Sequence, residues 1–357
     1  MRDFGATPEP SGESSEAVGD GRVGGRFVIQ QHDATRLHWD LRLEHDGVLA
    51  SWALPRGVPW TPKENHLAVH TEDHPLDYLD FEGDIPEGNY GAGNMFVWDR
   101  GTYSVEKWEE RKLIVVLHGA KVIGKHALFA TRGRDWMIHR MDPPADADRQ
   151  PVPDGLRPMG ATILSGKRPV ELTESGPERA IELRWRGERV LVACHPGDVR
   201  VHAADGREIT AALPDVRRMG RATGSLEVVL DGVVAEIDPD GRPTGQRDGL
   251  VRRLQPASDT TWRRLARQHP VAFLAFDILW LEGHPVTALP WSERRTLLEQ
   301  IELSGPAWQT PSVHRGDSAP IIEAATAAGL PGVVLKAVDR PYEVGATTDS
   351  WLEVLFG

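Results

Sequence analysis

The sequence predicts two domains in tandem, an all-β barrel followed by an α+β unit. Three observations carry this. From Arg26 to about Met141 the chain is a succession of short runs in which apolar and polar residues alternate, the period of two that half-buried strands require. A Pro- and Asp-rich stretch without periodicity follows. Beyond it, strand-like runs mix with stretches of helical spacing. The length of 357 residues agrees, since it exceeds one ordinary domain of roughly 100–200 residues.

In chain order, residues 1–25 read as an N-terminal arm, Arg2 to Pro10, and a Gly-, Ser- and Glu-rich connector with almost no apolar residues. Residues 26–141 contain the runs RFVIQQ, LHWDLRLEH, HLAVHTED, NMFVWD, KLIVVLHG and DWMIHR, separated by Gly, Pro and Asp turns, which is the spacing of an antiparallel barrel or sandwich. Residues 142–158, DPPADADRQPVPDGLRP, form the expected linker. Residues 159–357 alternate strands (AIELRW, RVLVAC, LEVVLDGVVAEID, VAFLAFDILWL, GVVLKAV) with helices expected at Ser292 to Ile301 and Pro320 to Ala328. No 20–50-residue period recurs, which excludes solenoids and propellers.

Composition narrows the function classes. Forty per cent hydrophobic residues with 12 Trp exclude wholesale disorder. Forty-one Lys+Arg against 53 Asp+Glu leave a net charge of -12, so any contact with nucleic acid must use a local basic site. The single cysteine, Cys194, cannot form an intramolecular disulfide, and the start MRDFGATPEP lacks a secretion profile; a bacterial cytosolic location and no membrane partner are expected.

Chemistry concentrates in the first half. In Leu37 to Leu43 the residues His38, Asp40 and Arg42 share one strand face, while Leu37, Trp39, Leu41 and Leu43 take the other. A second run is expected to align His66, His70, Glu72 and His74 opposite Leu67 and Val69. Nine of the 14 histidines precede residue 142, so the enrichment is local. A lone histidine on a strand face is ordinarily a solvated polar position; the clustering sets these apart. Imidazole and carboxylate donors suit Mn, Fe, Ni or Zn better than Mg or Ca. His32, His38 and Asp40 form one candidate metal site, with Arg42 placed to hold a phosphate or carboxylate through its planar fork. The rival is a non-haem iron oxygenase triad of His38, Asp40 and His74, with Arg42 on an oxo-acid co-substrate.

The strings RDFGATPEPSG, RFVIQQHDATRLHWDLRLEHDGVLASWALPRG, HLAVHTEDHPLDYLDFEGDIPEGNYGAGNMFVWDRGTY and DWMIHR together closely resemble the 3′-phosphoesterase domain of bacterial DNA ligase D. The resemblance covers nearly all of residues 1–141. It implies a small β-barrel that uses Mn2+ to trim 3′ ends at double-strand breaks, removing a terminal ribonucleoside and then the 3′-phosphate. It also implies metal ligation by His32, His38 and Asp40, phosphate contacts from Arg42 and His74, and contributions from Arg2, Asp3 and Glu9 of the arm. Glu72 and Tyr78 are weaker matches. Two positions depart from the pattern: Arg56 stands where a lysine is usual and His66 where an arginine is usual.

Residues 155–357 resemble the adenylation domain of ATP-dependent DNA ligases, in LEVVLDGVVAEIDPDGRP, AFLAFDILWLEGHPVTALPWSERRTLLEQ, PGVVLKAVDRPYEVG and WLEV. The family's nucleophile is the lysine of a Lys-x-Asp-Gly-x-Arg motif. The aligned string here is Arg184-Trp185-Arg186-Gly187-Glu188-Arg189, and an arginine stays protonated and cannot attack a phosphate. Val233 replaces the glutamate of the Asp-Gly-Glu motif, Pro331 that of the Glu-Gly-x-x-x-Lys motif, and Glu353-Val354-Leu355 the final Lys-x-Lys. Phe276 and Lys336 survive, with Lys336 expected at the surface.

The expected protein is thus a metal-dependent 3′-phosphoesterase for end joining, fused to a pseudo-ligase that does not use ATP and lacks a following oligonucleotide-binding barrel. Its expected partners are DNA 3′ ends and end-joining proteins such as Ku or a separate ligase or polymerase. The alternatives are a noncatalytic DNA-end-binding accessory protein and an active ATP-dependent ligase.

Overall fold

The computed structural model describes residues 24–34, 37–85, 93–144, 146–164, 178–195, 198–224 and 226–356. Arg2, Asp3, Glu9 and the expected connector up to residue 23 lie outside the described residues. The chain divides into two compact units, Met1–Arg149 and Gln150–Gly357.

The first unit is built from strands β1 (Gly24–Asp33), β2 (Leu37–His45), β3 (Val48–Leu54), β4 (Asn65–His70), β5 (Gly83–Ile85), β6 (Gly93–Glu109), β7 (Lys112–Gly119), β8 (Ile123–Arg132) and β9 (Asp135–Arg140). Eight of them close an antiparallel ring in the order β1-β2-β3-β4-β9-β8-β7-β6, sealed by pairing of β6 with β1; β5 adds to β6. The β2–β3 hairpin turns on Asp46-Gly47, both at positive φ (49° and 81°), the conformation a two-residue hairpin turn needs and that Asp-Gly supplies at low cost.

Alternation decides what each face does. Phe27 and Ile29 of β1 and Trp39, Leu41 and Leu43 of β2 point into the barrel, where they pack with Trp52, Leu54, Leu113, Val115, Leu128 and Ile138. Each large side chain so buried contributes about 1.5–3 kcal/mol. On the outer side, Val28, Leu49, Tyr78 and Leu79 form a second, smaller cluster. It buries the polar face of β1 and β2 beneath the segment around Leu76–Leu79.

The expected phase of β4 is reversed. His66 is buried and Leu67 is 40% exposed, because β4 pairs with β9 so that His66 and Ala68 lie opposite Ile138 and Trp136 of the core. The His66 ring fits there through a hydrogen bond between Nδ1 and the Gly57 carbonyl at 2.9 Å. The strand also ends at His70, so Glu72 and His74 are not on its face.

The second unit contains β10 (Gly160–Leu164), β11 (Arg179–Leu183), β12 (Glu188–His195), β13 (Asp198–Ala203), β14 (Val228–Glu236), β15 (Val271–Leu281), β16 (His284–Pro285), β17 (Ser304–Gly305), β18 (Trp308–Gln309), β19 (Gly332–Ala337) and β20 (Thr347–Leu355). Its helices are α1 (Pro214–Arg217), α2 (Met219–Thr223), α3 (Asp248–Arg253), α4 (Asp259–Gln268), α5 (Trp291–Gln300) and α6 (Ala319–Ala327). One sheet runs β10-β20-β19-β11; the other runs β13-β12-β14-β15-β18-β17. Helix α5 is pinned to β15 by Arg294, whose Nε and Nη2 donate to Asp277 at 2.8 and 2.9 Å in a fully buried bidentate pair. Among the described residues no helix is long and apolar enough to cross a membrane.

Candidate functional site

The β1–β2 hairpin sets His32 opposite His38 and Gln30 opposite Asp40. Period-two geometry then puts His32, Gln30, His38, Asp40 and Arg42 on the outer face. His32 Nδ1 lies 3.6 Å from Asp40 Oδ2, and His38 Nε2 lies 3.7 Å from Asp40 Oδ1. These separations are long for hydrogen bonds. They suit donors that share one ion at about 2.0–2.2 Å from each. One atom from each of the three residues lies within 4.8 Å of the others, and no other such group of three or more donors occurs among the described residues. The donor chemistry, two imidazoles and a carboxylate, fits a transition metal. His74 is not in the cluster, which removes the geometric basis of the His38, Asp40, His74 oxygenase triad.

Arg42, only 2% exposed, holds this centre in place. Its Nη2 donates to Asp40 Oδ2 at 2.9 Å, its Nε to Gln30 Oε1 at 2.7 Å and its Nη1 to Ser51 Oγ at 3.1 Å. Gln30 in turn donates to the carbonyls of Tyr78 and Phe81 at 2.9 and 2.8 Å, tying the hairpin to its cover. Burial alone would raise the Asp40 carboxyl, yet the Arg42 charge and the two imidazoles hold it well below the usual carboxylate range. The carboxylate is therefore ionised, as a metal ligand must be. Arg42 sits over the Tyr78 ring, 5.1 Å from its centroid, and His74 packs edge-on against the same ring at 4.8 Å. Arg42, expected to contact a substrate phosphate, also bonds inside the protein through three of its N–H groups. Glu72 and Arg56 are exposed.

Gln30 and Ser51 were not anticipated. The signal for Gln30 was present, two residues before His32 on the same face. Ser51 is recognisable only through the β2–β3 register, which sets it opposite Arg42.

The second unit holds a cavity of about 230 Å3 walled by Phe276, Trp351, Arg184, Arg189, Glu182, Lys336 and Glu353. Its charges are matched within the protein. Arg184 pairs with Glu353. Lys336 pairs with Glu182 at 2.9 Å, and Arg189 clamps Asp231 with two bonds of 2.6 Å. Tyr342 donates to the same aspartate at 2.6 Å. Lys336 is not at the surface: it is 1% exposed, with Nζ 4.2 and 4.1 Å from the Phe276 and Trp351 ring centroids. Burial lowers the Lys336 pKa and raises that of Glu182. Val233 also lines the cavity, contributing no charge where the motif has a carboxylate.

The units define a two-part class, a phosphoesterase-type barrel in front of a ligase-type α+β domain. Residues 30–130 match the DNA ligase D 3′-phosphoesterase domain and residues 158–354 the ATP dependent DNA ligase domain. The chain belongs to the ATP-dependent DNA ligase family, in the arrangement of DNA ligase D. The multifunctional non-homologous end joining protein LigD of Mycolicibacterium smegmatis is 37% identical over 365 residues, covering 99% of this chain and 44% of that protein. Its counterpart from Pseudomonas aeruginosa is 32% identical over 400 residues, covering 99% and 46%. The chain thus spans less than half the length of these curated relatives. A solved structure of mycobacterial DNA ligase D complexed with ATP and MES aligns with 29% identity and a TM-score of 0.44, over 56% of this chain and 60% of that one.

Proposed function

We propose that this protein is a metal-dependent phosphoesterase that trims 3′ ends of DNA during end joining, and that its ligase-like domain does not adenylate. The observation that carries the first part is the His32, His38 and Asp40 donor set beside a buried Arg42. These three residues would hold the ion, for which Mn2+ suits the donors. A bound divalent ion supplies Lewis acidity toward a phosphoryl oxygen. Arg42 keeps Asp40 ionised and adds fixed positive charge where negative charge accumulates in phosphoryl transfer. His74, held between Leu49 and the Tyr78 ring, contributes a second donor or a proton to the leaving oxygen. Arg2, Asp3 and Glu9 complete the site over the primer end on the family pattern.

The second part rests on the Arg184–Glu353 pair. It puts a permanently charged guanidinium where a neutral amine must attack, and neutralises it with a carboxylate. The partners this reading assigns are DNA 3′ ends and, as separate proteins in the cytosol, an end-binding factor of the Ku type and a joining enzyme.

The deciding experiment is incubation of the full chain and Mn2+ with a primer–template ending in one ribonucleotide or in a 3′-phosphate. Conversion of both to a 3′-hydroxyl is expected; an unchanged primer that is nonetheless bound would favour a noncatalytic end-binding protein.

A further inference from the structure

Helices α1 and α3 lie over one face of the larger sheet of the second unit, where Leu213, Val216 and Leu250 pack against Val190, Val192 and Val201. Helix α4 packs across them. Arg189 and Val233, which wall the cavity, alternate with Val190 and Val234 of that core and so project from the opposite face. Two buried contacts fasten the helices together. Arg253 of α3, fully buried, donates to Asp215 of α1 at 2.5 and 2.8 Å and to the His269 carbonyl at the end of α4 at 2.9 Å. Trp262 of α4 donates in return to the Arg253 carbonyl at 3.0 Å.

This scaffold displays cations. Arg217 and Arg218 at the end of α1, Arg252 on α3 and Arg263, Arg264 and Arg267 on α4 are all exposed. The three of α4 fall within about 100° of its circumference, since successive helical residues turn by that angle. Among the described residues none of the six arginines makes an ion pair. Two exposed carboxylates, Asp248 and Asp259, each stand one turn before an arginine, Arg252 and Arg263. Full neutralisation of those two arginines still leaves Arg217, Arg218, Arg264 and Arg267, on a chain whose net charge is -12. Val251, 45% exposed, stands beside Arg252.

We propose that this helical surface docks an acidic segment of a partner protein, which sets carboxylates against Arg217, Arg218, Arg264 and Arg267 and an apolar side chain against Val251. Two observations select a peptide over nucleic acid. A DNA duplex carries one charge per about 1.7 Å of its axis, so a backbone crossing the patch would also lie against Asp248 and Asp259. A peptide can space its carboxylates and pass over both. An exposed valine gains nothing from a phosphate, whereas protein interfaces bury apolar contacts inside a polar rim. Each arginine fork also matches a carboxylate bidentately. The remaining surface is strongly acidic, so it repels such a segment everywhere else and steers it here. The proposal is independent of the phosphoesterase reading and uses no residue of the metal centre or the cavity.

The test is fluorescence anisotropy of the full chain with a short labelled peptide of repeated Glu-Glu-Leu, compared with a Glu-Glu-Ser repeat and with labelled duplex DNA in EDTA. Three variants are measured: Arg264→Gln with Arg267→Gln, Arg217→Gln with Arg218→Gln, and Val251→Ser. Glutamine removes the charge without placing an anion at a helix C-terminus. Each double variant should bind the Glu-Glu-Leu peptide at least several-fold more weakly, and added salt should narrow the difference. Val251→Ser should weaken the Glu-Glu-Leu peptide several-fold and leave the Glu-Glu-Ser peptide unchanged. Melting temperatures and the rate of 3′-end trimming should match wild type throughout. Equal peptide affinity in wild type and both double variants would overturn the proposal. So would equal affinity of wild type for the two peptides, or a larger loss of duplex than of peptide binding in the double variants, which would make the surface a nucleic-acid site. Absence of trimming with arginine-dependent peptide binding intact would sink only the phosphoesterase reading.

Discussion

Arg42 and Asp40, two residues apart on one strand face, share a 2.9 Å ion pair that is almost wholly withdrawn from water. The pair makes the three candidate metal donors unequal as mutagenesis targets. Asp40→Ala strands a buried guanidinium, a change that costs about 3–5 kcal/mol. His38 is the most exposed of the donors, at 22% of its side chain. His38→Ala is therefore expected to lose Mn2+ binding by calorimetry and 3′-end trimming while keeping its melting temperature within a few degrees. Asp40→Ala is expected to lose both and melt markedly earlier. Near-normal activity in His38→Ala would remove this residue from the metal site.

Metal choice follows from the donor atoms. Chelation should abolish trimming, and Mn2+ should restore it better than Mg2+, since two of three protein donors are imidazoles and Mg2+ prefers an all-oxygen shell. Equal rescue by the two ions at equal concentration would mean that the imidazoles do not ligate.

The second unit should form no covalent AMP adduct, and Arg184→Lys alone should not create one. A lysine at 184 would meet Glu353, which favours the charged ammonium over the nucleophilic amine. Labelled ATP followed by a denaturing gel reads the outcome. A band in wild type would overturn the pseudo-ligase reading, and a band in Arg184→Lys alone would mean that the remaining pocket suffices.

His126 offers a pH test of the barrel. Burial pushes its pKa down to about 4, with Nδ1 bonded to the Gly124 carbonyl at 3.0 Å. The folded state therefore takes up its proton at lower pH than the unfolded chain, whose histidine titrates near 6.5. Stability contributed by the neutral ring is complete above that value and falls as pH drops from about 6.5 toward 4, by a few kcal/mol at most. Urea unfolding of wild type and His126→Gln at pH 7 and pH 4.5 should show a smaller acid penalty in the variant; identical penalties would remove His126 from the linkage.

Alternation made β2 legible residue by residue, because one face of Leu37–His45 packs in the barrel and the other carries the chemistry. It misled at β4, where His66 occupies an inward position that a hydrogen bond to Gly57 makes tolerable. Periodicity says that two faces differ, not which faces the core when a histidine and a leucine compete. The neutralised pocket of the second unit was half legible. The replaced motif letters were visible, but the Arg184–Glu353 and Lys336–Glu182 pairings depend on β11, β19 and β20 coming side by side. Such contacts span more than a hundred residues of sequence and leave no local pattern.

All three candidate metal donors, together with Arg42 and Gln30, come from the paired strands β1 and β2, which only three residues separate in sequence. Bringing them together requires closing only that small loop, a low entropic cost that does not depend on the far strands. The ring itself closes later in sequence terms, when β6 reaches back to β1. During synthesis on the ribosome the candidate donor residues thus emerge before the strand that seals the barrel. A captured ion would then act as a clasp on the nascent hairpin, linking metal supply to the yield of folded protein as well as to its turnover.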